Sequence, residues 1–226
     1  MRSDFDLVIF DLDGTLVDTA PDIATALAAA LVEANVAAPP LAVVKQLVGD
    51  GGRELVRRAL AVAGVERDVD QLFARFVAHY RDHVSGGSVI YGGVEAALAA
   101  LAAAGIATAV VTNKPGDIAR RLLADLALAD RFRDIVGDGD GYPRKPDATA
   151  ARAVVAAAGT RPDRTVVIGD GLPDVRMARA LGAKAVAAAW GYVAADRLAG
   201  ESPDALAATP DEAVRLVLGS GVSLGS

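Results

Sequence analysis

The stretch VIFDLDGTLVDT, Val8 to Thr19, decides how the rest of the chain is read. An apolar run, Leu7 to Phe10, leads straight into Asp11, and a second acid, Asp13, follows two places later. Gly14 and Thr15 come next, and the chain turns apolar again at Leu16. A short run of aliphatic residues of this kind predicts a strand buried on both faces. Carboxylates at the end of a buried strand are costly unless something compensates their charge.

Three further runs have the same character: Ile106–Thr112, Thr165–Asp170 and Lys184–Ala188, with a weaker one at Asp134–Gly137. Helical patterns separate them, over Val94–Ala104, Asp117–Leu126, Ala148–Ala158 and Leu172–Leu181. Strand alternating with helix predicts an α/β fold, a Rossmann-like parallel sheet flanked by helices. Between Asp18 and Ser85 the pattern changes to helical periodicity without a convincing strand. The glycine-rich segment SGGSVIYGG, Ser85–Gly93, reads as the return hinge. The expected organisation is therefore an α/β core from residues 1–17 and 86–226, with a helical domain, 18–85, inserted after the first strand. The last residues, LGSGVSLGS, read as a loose tail.

Composition narrows the chemistry. Of 226 residues, 53% are apolar and only 4% aromatic, so Ala, Val and Leu must build the core. The formal charge is −6, from 29 acids and 23 bases, and without a basic run this argues against nucleic acid as the main partner. The absence of cysteine excludes disulfides and thiolate chemistry, and two histidines exclude a His-rich metal site. The N-terminal apolar run is too short for a secretory signal, and the longest apolar region, AALAALAAAGIATAVVT, is broken by Gly105 and Thr108. No membrane association is expected, and the cytoplasm is the expected location. Monomer and homodimer are both compatible with the sequence.

In a parallel sheet, ligand sites form at the carboxyl ends of the strands. Those ends here carry Asp11 and Asp13, Thr112 and Asn113, and Asp170 with Asp174 just beyond; Lys145 lies in the loop after the weak strand. Four carboxylates, a hydroxyl, an amide and an ammonium would share one crevice. Mg2+ would relieve the carboxylate repulsion, since it favours one or two carboxylates, waters and a substrate phosphate. A carboxylate facing a metal-held phosphate can act as nucleophile, and a second can protonate the leaving oxygen and then activate water. The spacing alone leaves open which of Asp11 and Asp13 does which.

FDLDGTLVDT, VVTNK, RKPDA and GDGLPD resemble, in order and separation, the four motifs of the haloacid dehalogenase superfamily. The resemblance implies Asp11 as nucleophile and Asp13 as general acid/base, with Lys145 also catalytic. It implies Mg2+ held by Asp11, the Asp13 backbone carbonyl and Asp170, with Asp174 in support. It implies Thr112, the Asn113 backbone and Lys145 on the phosphate, and a helical cap over the site. Asp13 itself favours a phosphatase or phosphomutase over a dehalogenase, which has no leaving oxygen to protonate. LVGDGGRELVRRAL and VVTNKP are most similar to the phosphoglycolate phosphatases, implying a small phosphorylated metabolite, 2-phosphoglycolate, as substrate. The cap loop Gly49–Arg53 would then face the site, with Gly51, Gly52 and Arg53 touching substrate and Arg53 pairing with its carboxylate. Gly171 departs from the pattern, where the family often has Ser or Thr.

The rival readings are a β-phosphoglucomutase-like phosphotransferase, a pyrophosphatase or other small-phosphate hydrolase, and a phospho-acceptor signalling module; the helical insertion counts against the last. His79 and His83 share a helix face but lack the Glu of a zinc-hydrolase motif, and read as ordinary helix residues. Trp190 reads as packing.

Overall fold

The computed structural model describes residues 3–219. In chain order its elements are β1 (Leu7–Phe10), β2 (Val17–Asp18), α1 (Ala20–Glu33), α2 (Leu41–Leu47), α3 (Gly52–Ala63), α4 (Val69–Asp82), β3 (Val89–Ile90), α5 (Val94–Ala103) and β4 (Ala107–Pro115). Then follow α6 (Gly116–Asp125), β5 (Asp134–Asp138), α7 (Thr149–Ala157), β6 (Thr165–Gly169), α8 (Leu172–Leu181), β7 (Lys184–Ala188), α9 (Ala195–Ala199), β8 (Ala205–Ala207) and α10 (Pro210–Val217).

Six strands form a parallel sheet in the order β5-β4-β1-β6-β7-β8. β1 lies between β4 and β6, with Phe10 in register with Val110 and Ile168, so the ends that carry Asp11, Thr112 and Asp170 meet at the middle of the sheet. Alternation along β1 sends Val8 and Phe10 into one apolar layer and Leu7 and Ile9 into the other. The first layer is closed by α5, α6 and α10 through residues such as Leu101, Leu122 and Val214; the second by α7 and α8 through Val154, Met177 and Leu181. Burial on both faces is what the unbroken aliphatic strand sequences require.

Helices α1–α4 fill the segment between β2 and β3, with no strand among them. Leu27, Leu31, Leu60, Phe76 and Tyr80 are buried there. β2 and β3 pair antiparallel, Val17 with Ile90 and Asp18 with Val89, so the two connections run side by side. Asp22 in the first turn of α1 secures the return connection, accepting from Gly87 N at 2.7 Å and Ser88 Oγ at 2.5 Å.

Some sequence expectations shift. β4 continues to Pro115 rather than ending at Thr112, because its pairing with β5 changes register between Val111 and Pro115. The short pieces β2, β3 and β8 carry too few residues for a periodic signal. The expected tail falls largely outside the described residues; Leu218 and Gly219, which are described, follow directly on α10. Among the described residues no helix is long and apolar enough to cross a membrane.

Candidate active site

Asp11 directly follows β1 and its backbone N–H donates to Ile168 O at 2.9 Å, pinning the acid between two strand ends. The loop then turns sharply: Gly14, at φ +84°, donates its N–H to Val17 O, and a Cβ at Gly14 would collide with the Asp170 carboxylate. Glycine is the residue that tolerates both demands.

Asp11, Asp170 and Asp174 are all buried and present carboxylate oxygens within 4.8 Å of one another. Lys145 enters this group from the loop after β5, with Nζ 2.7 Å from Asp11 Oδ1 and 2.7 Å from Asp174 Oδ1. Only the approach to Asp174 is a directed hydrogen bond; Asp11 Oδ1 is fully enclosed and accepts none. Three buried carboxylates and one ammonium leave an excess of negative charge. Burial and the neighbouring Asp11 push the Asp170 carboxyl up to about 8, and the same two causes raise Asp174 against the pull of Lys145. Burial on its own would lower the Lys145 ammonium, but Asp11 and Asp174 outweigh it and hold it above the ordinary lysine range. A hard divalent cation suits this donor set: oxygen ligands, surplus negative charge and one carboxylate oxygen without a hydrogen-bond donor.

The third carboxylate is held firmly. Thr15 Oγ1 donates to Asp170 Oδ1 at 2.9 Å and accepts from Asp170 N at 3.0 Å, while Tyr192 N donates to Oδ2 at 2.7 Å. Trp190 is more than packing: its Nε1 donates to Thr15 O at 3.0 Å. Gly171 N donates to Asp174 Oδ2 at 3.0 Å, and a Cβ at Gly171 would lie 3.0 Å from that same oxygen, so glycine suits this close approach.

The Asp13 carboxylate stands outside the cluster. Its Oδ1 accepts from Thr19 Oγ1 at 2.7 Å and from Lys114 Nζ at 2.8 Å. Lys114, which the sequence reading passed over, is buried at the end of β4 and also donates to Tyr80 OH, its ammonium 4.3 Å from the Tyr80 ring centre. Thr112 and Asn113 are buried on the same strand. The Asn113 side chain is a clamp: Oδ1 accepts from Lys145 N at 2.8 Å, and Nδ2 donates to Lys145 O at 3.3 Å and to Gly49 O at 3.1 Å.

A cavity opens above Asp11, Asp13 and Thr112, with Ile23, Val48, Leu55 and Phe76 as its apolar wall. Gly49, Gly51 and Gly52 line it as expected. Arg53 does not: its guanidinium is half exposed and paired with Asp70 at the start of α4, away from the cavity. The substrate contact expected there finds no support in this arrangement, since α3 starts at Gly52 and carries Arg53 onto its outer face.

Carboxylates from two strand ends, a lysine from the next loop and a helical insertion above them are the pattern of one hydrolase family. Residues 8–188 match the haloacid dehalogenase-like hydrolases, and the chain belongs to that family. Among individual proteins, the phosphoglycolate phosphatase of Rhodospirillum rubrum is 43% identical over 192 residues, covering 82% of this chain and 80% of that one. The phosphoglycolate phosphatase of Agrobacterium fabrum is 38% identical over 190 residues, 82% of this chain and 81% of that one. A solved structure from Lactobacillus delbrueckii subsp. bulgaricus, assigned as a phosphoglycolate phosphatase, matches with a TM-score of 0.90 at 25% identity, covering 97% of this chain and 100% of that chain.

Proposed function

We propose that this phosphoric monoester hydrolase cleaves a small phosphate ester, 2-phosphoglycolate, through a phosphorylated Asp11. The observation that carries the reading is the placement of Asp11: a buried carboxylate lining the cavity, fixed through its backbone N–H to Ile168 O, with Lys145 Nζ 2.7 Å from its Oδ1. Asp11 would attack phosphorus as the bond to the leaving oxygen breaks. Asp13, whose Oδ1 is held by Thr19 and Lys114, would give its proton to that oxygen. It would then take a proton from the water that attacks the phosphoryl group and frees phosphate and Asp11. Lys145 and Thr112 would hold the phosphoryl oxygens, with Asn113 fixing the backbone of Lys145. Asp11, Asp170, Asp174 and the Asp13 carbonyl would hold Mg2+, which when bound supplies positive charge against the phosphate oxygens.

Residues 18–85 would act as a cap over a core of 1–17 and 86–226, closing through the Gly49–Asn113 contact and shielding the reaction from bulk water. Curated relatives named phosphoglycolate phosphatase support this substrate. The test is phosphate release with Mg2+ from a panel of 2-phosphoglycolate, pyrophosphate, β-glucose 1-phosphate and an aryl phosphate, with Asp11→Asn as the blank. A preference for 2-phosphoglycolate is the expected result; equal, weak release from every ester would withdraw the substrate.

A further inference from the structure

With Arg53 turned outward, the carboxylate of a glycolate-type leaving group lacks its expected partner, and one residue of the cavity can replace it. We propose that Lys114 is the specificity determinant of this site: it receives a carboxylate carried on the carbon next to the ester oxygen. This rests on the phosphatase reading above and deepens it by assigning the substrate's second anion.

Among the described residues Lys114 is the one cation that lines the cavity; Lys145 lies below it, paired with Asp11 and Asp174, and is assigned above to the phosphoryl group rather than to the leaving group. Its side chain is 2% exposed, so its charge acts on a ligand without screening by bulk water. An ammonium has three donors. Here one goes to Asp13 Oδ1 and one to Tyr80 OH, both on the cavity wall, which leaves the third for a ligand. The Tyr80 ring fixes the ammonium from one side, so it is pre-positioned rather than recruited.

The contact to Asp13 sets the distance at which this charge is read. The group that would protonate the leaving oxygen is hydrogen-bonded to Lys114 at 2.8 Å, so a charged group within reach of Lys114 is close to that oxygen in the substrate. A carboxylate one carbon removed from the ester oxygen meets this condition. A sugar phosphate places a carbon chain with neutral hydroxyls there, which offers the ammonium no charge to pair with.

The test compares 2-phosphoglycolate with 2-hydroxyethyl phosphate, which has the same length and a hydroxymethyl group in place of the carboxylate, in wild type and in Lys114→Gln. Wild type is expected to favour the acid, and Lys114→Gln to lower that preference by about 30-fold or more, mainly through KM, as befits loss of a buried charge pair. Inhibition of p-nitrophenyl phosphate hydrolysis by free glycolate, beside inhibition by inorganic phosphate, gives a second readout. In the variant glycolate should cease to inhibit while phosphate still does, which also shows that the phosphate site is folded. An equal fall for both esters, with glycolate inhibition intact, would overturn the proposal and reduce Lys114 to a positioning residue for Asp13. A wild type without preference for the acid would overturn the substrate reading as well; a preference that survives in Lys114→Gln would overturn this inference alone.

Discussion

Asn113 donates through Nδ2 to the carbonyl of Gly49 at 3.1 Å, so a side chain at the end of a central strand holds the loop between α2 and α3. The same amide grips Lys145 on both backbone groups. Asn113→Ala should therefore lose closure and lysine placement together. We expect kcat/KM to fall about 100-fold, roughly 2.8 kcal/mol, with a smaller loss of stability. Steady-state kinetics and a thermal melt check it; an activity near wild type would show that the clamp is dispensable.

Gly51 sits at φ +94°, and a Cβ there would lie 3.2 Å from Arg144 Nη1 and 3.4 Å from Asn113 O. Gly51→Ala strains the backbone and crowds Arg144 and Asn113 O in this conformation, where Gly49 O accepts from Asn113; opening of the proposed cap would relieve both. The expected cost of about 1–2 kcal/mol should appear as a raised KM with little change in melting temperature. A lower melting temperature with unchanged KM would locate the strain elsewhere.

Arg53 is paired with Asp70 on the surface. Such exposed pairs contribute about 0–1 kcal/mol. Arg53→Ala should keep kcat and KM for 2-phosphoglycolate within about twofold, and a large rise in KM would return Arg53 to the substrate site.

Tyr192 joins the carboxylate cluster to the connection leading into α1. Its N–H holds Asp170 Oδ2, while its hydroxyl accepts from Thr19 N at 2.8 Å and Ala20 N at 3.0 Å and donates to Asp18 Oδ1 at 2.9 Å. Tyr192→Phe strands the Thr19 N–H and leaves the Ala20 N–H only its longer bond to Asp18 Oδ1 at 3.3 Å, at a cost of about 1–3 kcal/mol. The melting temperature should fall while the extra stabilisation by Mg2+ persists, because the backbone contact to Asp170 survives. Loss of the Mg2+ effect would show that the hydroxyl, and not the backbone, fixes the ion's ligand.

The Asp170 carboxyl, pushed up to about 8 by burial and by Asp11, fixes the sign of a pH effect. Its folded-state value exceeds the ordinary carboxylate value of about 3.9, so without metal the folded state binds the extra proton between these limits. Its contribution to stability is then present at low pH and lost as pH rises toward 8. If Mg2+ binds as proposed it has to displace that proton, so the rise in melting temperature on adding Mg2+ should be larger at pH 8 than at pH 6 and absent in Asp170→Asn. An equal rise at both values would separate Asp170 from the ion.

The sheet and the strand ends that carry the candidate site were legible because buried parallel strands are written as continuous aliphatic runs; Thr165–Asp170 and Lys184–Ala188 lie within a residue of the observed bounds. The helical insertion was legible through the spacing of Leu72, Phe76 and Tyr80. What escaped depended on contacts distant in sequence. Lys114 follows Thr112 and Asn113 by one place, but its partners Asp13 and Tyr80 come from a different loop and from α4. Thr15 and Tyr192 meet at Asp170 across the fold, and no local pattern announces a tyrosine whose backbone supports one carboxylate and whose hydroxyl caps a helix. Arg53 was misplaced because one helical residue separates the cavity-lining Gly52 from the outer face of α3.

In the proposed reaction Asp11 carries the phosphoryl group. The most direct measurement is mass spectrometry of protein quenched in acid during turnover of 2-phosphoglycolate with Mg2+, with the modified peptide sequenced. One phosphoryl group is expected, on the peptide containing Asp11 and absent from Asp11→Asn, which should also release no phosphate. Phosphate release by Asp11→Asn, or a label on any other residue, would contradict it.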